Sequence, residues 1–351
     1  MLARLRKLVG SGRFLGGLVC GTALGAACCY AVTRPSPKQQ PVDDESVLEK
    51  YGLPMTGAEI RYYTNHVLSY DQAKRTPKWV IEHLNNEKLL GSANRKDCKF
   101  RPDPSIPALF TARNEDYIRS GWSRGHMAPA GDYKYSLQSM TETFYLSNIV
   151  PQNYENNAGF WNRLEMYCRE LTQRFDDVWI VSGPLMLPKE GTDGSKSVFY
   201  KVIGNDEVAV PTHLYKVVLA QRSNGPSRSL ALGAFVVPNE PIGFDHQLPE
   251  FQMSLEDLEK KSGLTFFPKI NQTHETRDLC KVDTCKLMDY KEFKLYITTS
   301  QIHNAKTLAR LEKLMSELRE HDIEPDDYLL KQYESKKKEL GSVASQERKS
   351  G

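Results

Sequence analysis

The chain has 351 residues, of which 40% are hydrophobic and 26% are charged. This composition excludes a wholly disordered protein and is sufficient for one large core. The formal net charge is +3, but the first 42 residues hold six Lys or Arg and no acid, so the rest holds 41 basic and 44 acidic residues. That balance excludes a globally cationic surface, and any nucleic-acid binding must come from a local basic patch.

Residues 1–33 are predicted to be a mitochondrial targeting and membrane-anchor segment. Four Lys or Arg precede residue 14 without an acid, a pattern typical of import signals. Residues 14–32 then carry no charge, and at about 1.5 Å per residue such a helix can just cross about 30 Å of hydrocarbon. The span is predicted to lie in the inner membrane. If its basic end stays on the matrix side, the positive-inside rule places the body in the intermembrane space. A cleavable secretory signal ending near Ala26 is the alternative.

Residues 34–54 are predicted to be a linker, because 34–44 contain three prolines. A folded domain is expected over 55–300, with a mixed sheet in an α+β fold. Its strands are predicted from runs rich in β-branched and aromatic residues. These runs are 143–150, 178–183, 198–204, 212–220, 230–238 and 293–299.

Helices are predicted from apolar residues at helical spacing and from terminal signals. One lies within 158–175, and a second follows Ser254 and ends at Gly263. Residues 301–351 are predicted to be a helical extension, with helices over 305–318 and 323–340 and a disordered tail. The 305–318 helix and a face formed by Gly17, Gly21 and Gly25 are candidate surfaces for a homodimer.

The seven cysteines do not indicate a disulfide scaffold, because Cys20, Cys28 and Cys29 fall in the apolar N-terminal stretch. Cys280 and Cys285 form a C-x4-C pair. A zinc site lacks a second ligand pair at finger spacing. Buried thiols and a local disulfide both remain open for this pair.

The segment 122–132, WSRGHMAPAGD, contains the candidate general base His126. An imidazole with an ordinary pKa near 6.5 is largely neutral at pH 7 and can accept a proton from water. A lone histidine is more often structural, so the neighbouring residues matter. Arg124 offers a planar fork suited to a phosphate, and Gly125 and Gly131 permit tight backbone geometry.

The segment 145–165 contains a candidate magnesium ligand, Asn157, just before a predicted helix. Magnesium prefers oxygen ligands, keeps several waters and often takes one or two protein ligands. Glu165, one turn beyond Trp161, could hold one of those waters. The alternative is that 153–157 is a turn with capping residues and that Glu165 is a solvated helix residue.

Three ordered motifs, SRGHMAPAG, TFYLSNIVPQ and NNAGFWNRLE, together resemble the endonuclease G and Serratia-type DNA/RNA non-specific nucleases. The similarity covers about residues 55–300, and within the family it resembles the exo/endonuclease G branch most. It implies a ββα-metal nuclease domain, DNA and RNA as substrates, and catalytic Mg²⁺ or possibly Mn²⁺. The activity implied is endonuclease and 5′-exonuclease cleavage with a preference for single strands.

The resemblance also implies roles for individual residues. His126 matches the family's general base, Asn157 its direct magnesium ligand and Glu165 the helical acid eight residues later. Asn148 matches a residue that helps to position the centre. An arginine upstream of the base stabilises the phosphate in this family, for which Arg95 is the candidate, alongside Arg124 of the motif itself.

Ser123 stands where most of the family has Asp, which leaves the support of this loop and the endo-versus-exo preference open. The basic run 94–101 is the candidate substrate-binding segment, because such residues meet phosphates without reading bases. Its candidate residues are Arg95, Lys96, Lys99 and Arg101. A solvated loop is the plainer interpretation of an isolated charge run. A catalytically silent nucleic-acid-binding or scaffolding protein of the inner membrane is the alternative function.

Overall fold

A computed structural model describes residues 60–222, 229–270 and 276–350. The predicted targeting segment, the span at 14–32 and the linker lie outside these residues. Within the described part of the chain, no helix is both long enough and apolar enough to cross a membrane.

Thirteen strands lie within the described ranges, and seven of them form the central sheet. They are β1 Ile60–Tyr62, β2 His66–Asp71, β3 Thr76–Leu84, β4 Ser123–His126, β5 Ile149–Gln152, β6 Asp177–Leu185, β7 Lys189–Glu190, β8 Lys196–Ser197, β9 Val202–Ile203, β10 Val208–Ala209, β11 His213–Arg222, β12 Ser229–Pro238 and β13 Thr276–Asp278.

Nine α-helices lie in the same ranges. They are α1 Asn114–Tyr117, α2 Leu137–Glu142, α3 Tyr154–Ala158, α4 Phe160–Leu171, α5 Leu255–Ser262, α6 Leu279–Val282, α7 Tyr290–His303, α8 Leu308–Glu320 and α9 Asp327–Ser350. Short 3-10 helices include Arg95–Asp97, Ala130–Asp132 and Leu146–Asn148.

The central sheet has the strand order β1-β2-β3-β6-β11-β12-β13. All neighbouring strands pair antiparallel except β12 and β13, which are parallel. The sheet is therefore mixed, and the prediction of an α+β fold with a mixed sheet is confirmed. Alternating residues of β11 face opposite sides, so that Leu214 and Val218 join one core and Tyr215 and Val217 the other.

Helix α4 packs on the first of these cores. Its residues Trp161, Leu164, Tyr167, Cys168 and Leu171 are all buried, as their helical spacing predicts. Helix α5 lies on the other side of the sheet through Leu258. Ser254 caps its first turn, and Gly263 adopts the left-handed conformation at its end, as predicted from the sequence.

Two predicted strands are wrong. Residues 293–299 lie in α7, because Asp289 and Glu292 form a capping box that stabilises a helix start. Their β-branched residues are used on a helix face. Of 198–204, only Val202–Ile203 is a strand. The run 143–150 is a strand only from Ile149 onward.

The C-terminal helices α7, α8 and α9 share a separate apolar cluster that includes Ile302, Leu311, Leu314 and Leu329. The predicted helix at 305–318 is therefore present. The predicted boundary at residue 300 falls inside α7. The last helix continues to Ser350, through most of the segment predicted to be a disordered tail.

Cys280 and Cys285 form a disulfide, which is one of the two interpretations that the sequence leaves open. The loop that they close is held on α4, because Tyr167 donates a hydrogen bond to Asp283 at 3.0 Å. Arg174 forms an ion pair with the same carboxylate at 2.6 Å. The pair therefore fixes a loop and does not offer thiolates to a metal.

His66 on β2 gives the fold a pH dependence. Its ring is buried, stacks on Tyr63 at 4.5 Å between centroids, and has no hydrogen-bond partner for either nitrogen among the described residues. Burial lowers its pKa to about 4. The unfolded chain then binds more protons than the folded one between about pH 6.5 and 4, so stability is lost as the pH falls through that window.

We expect His66→Gln to remove part of that loss. Between pH 7 and pH 4.5 the free energy of unfolding of the original protein should fall by on the order of 2 kcal/mol more than that of the variant. Urea denaturation of both proteins at the two pH values measures the difference. An equal loss in the two proteins would contradict the assignment.

Candidate active site

The candidate site is built on a β-hairpin followed by a helix. Strands β4 and β5 pair with each other in a two-stranded sheet, with Ser123 opposite Gln152 and His126 opposite Ile149. Helices α3 and α4 follow directly. Gly159 separates them. A larger residue would not fit there without a shift, because its Cβ would lie 2.7 Å from the Glu155 carbonyl oxygen.

His126 ends β4 and is buried, with 8% of its surface exposed. The ring lies 5.3 Å from Phe100 and 4.9 Å from Phe144 between centroids. Its Nε2 has no hydrogen-bond partner among the described residues. Burial, followed by the charges of Arg95 and Arg124, lowers the His126 pKa to about 3. The imidazole is therefore neutral at pH 7.

Asn148 supports the loop after His126. It is fully buried, and its Oδ1 accepts a hydrogen bond from the Ala128 amide at 2.9 Å. Its Nδ2 donates to the carbonyls of Ala128 and Thr143 at 2.9 and 2.8 Å. Both ends of this amide are bonded to backbone, so Asn148 holds the loop that follows His126.

Asn157 lies on α3 and is half-buried. Its Nδ2 donates to the Ser123 hydroxyl at 3.1 Å, and that hydroxyl donates to the Gln152 carbonyl at 2.8 Å. None of the described residues donates to Asn157 Oδ1. Since the nitrogen end is engaged, the oxygen is the atom available to a ligand, and it is a hard donor of the kind that magnesium takes.

The surrounding donors suit a sparsely held ion. Across 60–222, 229–270 and 276–350, no group of three His, Cys, Asp or Glu side chains could hold a metal. A single amide oxygen, such as that of Asn157, fits an ion that keeps most of its water and does not fit zinc.

Glu165 lies on α4 and is half-buried; it is the carboxylate that the sequence pattern predicts for the site. Burial raises its pKa to about 7, against the lowering effect of Lys216 and Arg169. Arg169 also forms an ion pair with Asp132 at 2.6 Å. This contact ties the end of the His126 segment to the helix that carries Glu165, and nothing in the local spacing predicts it.

The two candidate phosphate-binding arginines approach the same region. Arg95 is exposed and lies 6.0 Å from the Phe144 ring centroid. Its positive charge helps to lower the pKa of His126 and opposes the rise in the pKa of Glu165. Arg124 lies 4.6 Å from the Phe100 ring centroid and donates to Asn114 Oδ1 at 2.5 Å. Asn114 in turn donates to the Phe100 carbonyl at 2.8 Å, a support that sequence reasoning missed.

The remaining candidate substrate-binding residues are spread over a wider surface. Lys96 points to the C-terminal helices and donates to Asn304 Oδ1 at 2.5 Å. Arg101 lies 4.9 Å from the Tyr145 ring centroid and donates to its hydroxyl at 3.2 Å. Lys99 is exposed. The run 94–101 therefore passes close to the histidine at Arg95 and away from it at Lys96.

The β4–β5 hairpin and the helices that follow it carry the candidate site, and comparisons with known proteins show the class to which the chain belongs. The family model for DNA/RNA non-specific endonucleases matches residues 44–273, and that for the endo/exonuclease (EXOG) C-terminal domain matches 288–336. The chain therefore belongs to the DNA/RNA non-specific endonuclease family. It is a nuclease, which hydrolyses phosphodiester bonds.

Several relatives support this assignment. The mitochondrial nuclease EXOG of Xenopus laevis is 59% identical, with 96% of each chain covered, and that of Homo sapiens is 57% identical, with 95% of this chain and 94% of the human one covered. Human mitochondrial endonuclease G is 42% identical over 64% of this chain and 74% of its own. A chain from a crystal structure of an EndoG/EndoGI complex superposes with a TM-score of 0.61 at 39% identity, over 66% of this chain and 96% of that one.

Gly125 tests the packing of the hairpin. A Cβ there would lie 2.0 Å from Gln152 Oε1, and Gln152 is itself buried. We expect Gly125→Ala to destabilise the protein by roughly 1–3 kcal/mol. Gly341→Ala is the matched control, because its Cβ would meet no atom within 4 Å and Ala is favoured over Gly in a helix. Thermal unfolding compares the two, and equal shifts would contradict the packing argument.

Proposed function

We propose that this protein is a magnesium-dependent, sugar-non-specific nuclease with endonuclease and 5′-exonuclease activity on DNA and RNA and a preference for single strands. His126 acts as general base, Asn157 is the protein ligand to the metal, and manganese can replace magnesium. Two observations support the proposal: His126 Nε2 has no hydrogen-bond partner among the described residues, and the Nδ2 of Asn157 is bonded to Ser123 on the strand that His126 ends.

His126 can accept a proton from the attacking water because it is neutral. A pKa of about 3 makes a weak base, but part of that lowering comes from Arg95 and Arg124. A phosphodiester bound between these arginines brings negative charge that offsets theirs and raises the pKa of the base toward its working range. Arg95 and Arg124 thus bind the substrate and adjust the base together.

Asn157 would hold the magnesium ion directly, and Glu165 would accept hydrogen bonds in its outer shell. When bound, the ion offsets negative charge that develops on the phosphate and on the leaving 3′ oxygen. The raised pKa of Glu165 belongs to the metal-free protein. A cation beside this carboxylate favours its ionised form.

Phosphate contacts account for the breadth of substrate. Arg95, Lys96, Lys99 and Arg101 are exposed cations, which position a nucleic-acid backbone without reading its sequence.

The cellular setting is part of the proposal. Residues 14–32 anchor the protein in the mitochondrial inner membrane, with the nuclease domain in the intermembrane space, and the protein acts as a homodimer. Support comes from the basic, acid-free N-terminal sequence and from relatives named as mitochondrial nucleases. The silent scaffold is not retained, because these relatives are enzymes.

Cleavage of end-labelled single-stranded DNA and RNA by the full-length protein tests the chemistry. His126→Ala should lower the rate by on the order of 10²–10⁴. Asn157→Ala should also cleave slowly, and added magnesium should not restore the rate, because the variant lacks the proposed metal ligand. His303→Ala, at an exposed histidine of α7, is the matched control and should cleave normally. Equal rates for the original protein and His126→Ala would refute the assignment of the base.

A further inference from the structure

Three carboxamides connect the central sheet to the segment 151–157, which runs from the end of β5 into α3 and ends at Asn157. Gln152 and Asn156 are fully buried, and Asn239 is 7% exposed. Asn239 directly follows β12 and is far from the others in the sequence. No motif in the sequence marks it, and the mechanism above does not use it.

Asn239 joins three segments of the chain. Its Oδ1 accepts a hydrogen bond from the Asn153 amide at 2.8 Å, at the start of α3. Its Nδ2 donates to the carbonyls of Pro151 and Pro211 at 3.1 and 2.9 Å. Its own amide donates to the Thr212 carbonyl at 2.9 Å. The Asn239 side chain thus fixes the segment 151–153 against the start of β11 and the end of β12.

Asn156 makes the second attachment, next to Asn157 in the chain. Its Nδ2 donates to the Pro238 and Glu240 carbonyls at 3.0 and 3.1 Å, on either side of Asn239. Its Oδ1 accepts from Gln152 Nε2 at 2.8 Å. Gln152 also supplies the carbonyl that holds Ser123, so these contacts reach the hydroxyl that holds Asn157.

These contacts require an amide. Asn239 uses one end as an acceptor and the other as a donor to two carbonyls, and a carboxylate offers no donor. Asp at this position would place negative oxygens against two carbonyl oxygens in a buried space, which is unfavourable. The same argument applies to Asn156 and its two carbonyl partners.

We propose that Asn239 and Asn156 are positioning residues for the metal ligand Asn157. They hold the segment 151–157 against the start of β11 and the end of β12, so that the Asn157 oxygen is in place before an ion binds. An ion held by a single protein ligand gains most from such preorganisation. The inference rests on the proposed role of Asn157 as metal ligand.

Binding of Mn²⁺ alone to the full-length protein, measured by electron paramagnetic resonance without nucleic acid, tests this role. Asn239→Asp and Asn156→Asp should each weaken Mn²⁺ binding by on the order of 10–100-fold, and Asn157→Ala should weaken it at least as much. Asn65→Asp is the matched control, since Asn65 lies at the β1–β2 turn and bonds to His83 and Lys88. It should bind Mn²⁺ as the original protein does.

Thermal unfolding separates positioning from folding. Each variant is compared at a temperature where circular dichroism shows it to be native, and Asn239→Ala replaces Asn239→Asp if the latter does not fold. Native variants of Asn239 and Asn156 with undiminished Mn²⁺ affinity, beside a weakened Asn157→Ala, would overturn the inference and leave the proposed function standing. Undiminished affinity in Asn157→Ala itself would overturn both.

Discussion

An asparagine can present either its oxygen or its nitrogen to a neighbouring group, and only the oxygen can bind a cation. At Asn157 the hydrogen bond from Nδ2 to the Ser123 hydroxyl decides between the two. Because Ser123 is held by the Gln152 carbonyl, the choice is made by the hairpin that also carries His126. The proposed metal ligand and the proposed base therefore depend on one piece of secondary structure.

Buried polar contacts hold the elements next to this hairpin on the central sheet. Lys216 is 1% exposed, donates to Ser182 at 2.7 Å and lies 4.9 Å from the Trp161 ring centroid on α4. Glu82 is 2% exposed, burial raises the pKa of its carboxyl well above the usual range, and it accepts a hydrogen bond from Tyr133 at 2.7 Å. Removing one partner of such a buried hydrogen bond is costly because it leaves the other polar group without a partner. The Lys216 contact stabilises α4, and with it Glu165, on the sheet. The Glu82 contact holds the segment that follows His126 on β3.

The sequence predicts the local elements of this protein better than its long-range contacts. Apolar residues at helical spacing in α4 and the terminal signals of α5 are short-range features, and both helices form as predicted. The run 293–299 misleads because its β-branched residues favour a strand, while the capping box at Asp289 starts a helix. Which of two local preferences wins is decided by packing.

In the candidate site too, the residues that lie in sequence motifs could be predicted, and those whose roles depend on long-range contacts could not. His126, Asn157 and Glu165 could be proposed because they lie in motifs that resemble a known family. Asn239 and the Asp132–Arg169 pair could not, since their roles depend on contacts between residues far apart in the chain. The roles of all the site residues stay predictions, as does the membrane anchor, which lies outside the described residues.

The most direct measurement is a crystal structure of His126→Asn with Mn²⁺ and a short single-stranded oligonucleotide, with the ion located by anomalous scattering. We expect the ion to lie on Asn157 Oδ1 and one phosphate to lie between it and the side chain at position 126, within reach of Arg95 or Arg124. An ion bound by other residues, or a phosphate remote from position 126, would contradict this account.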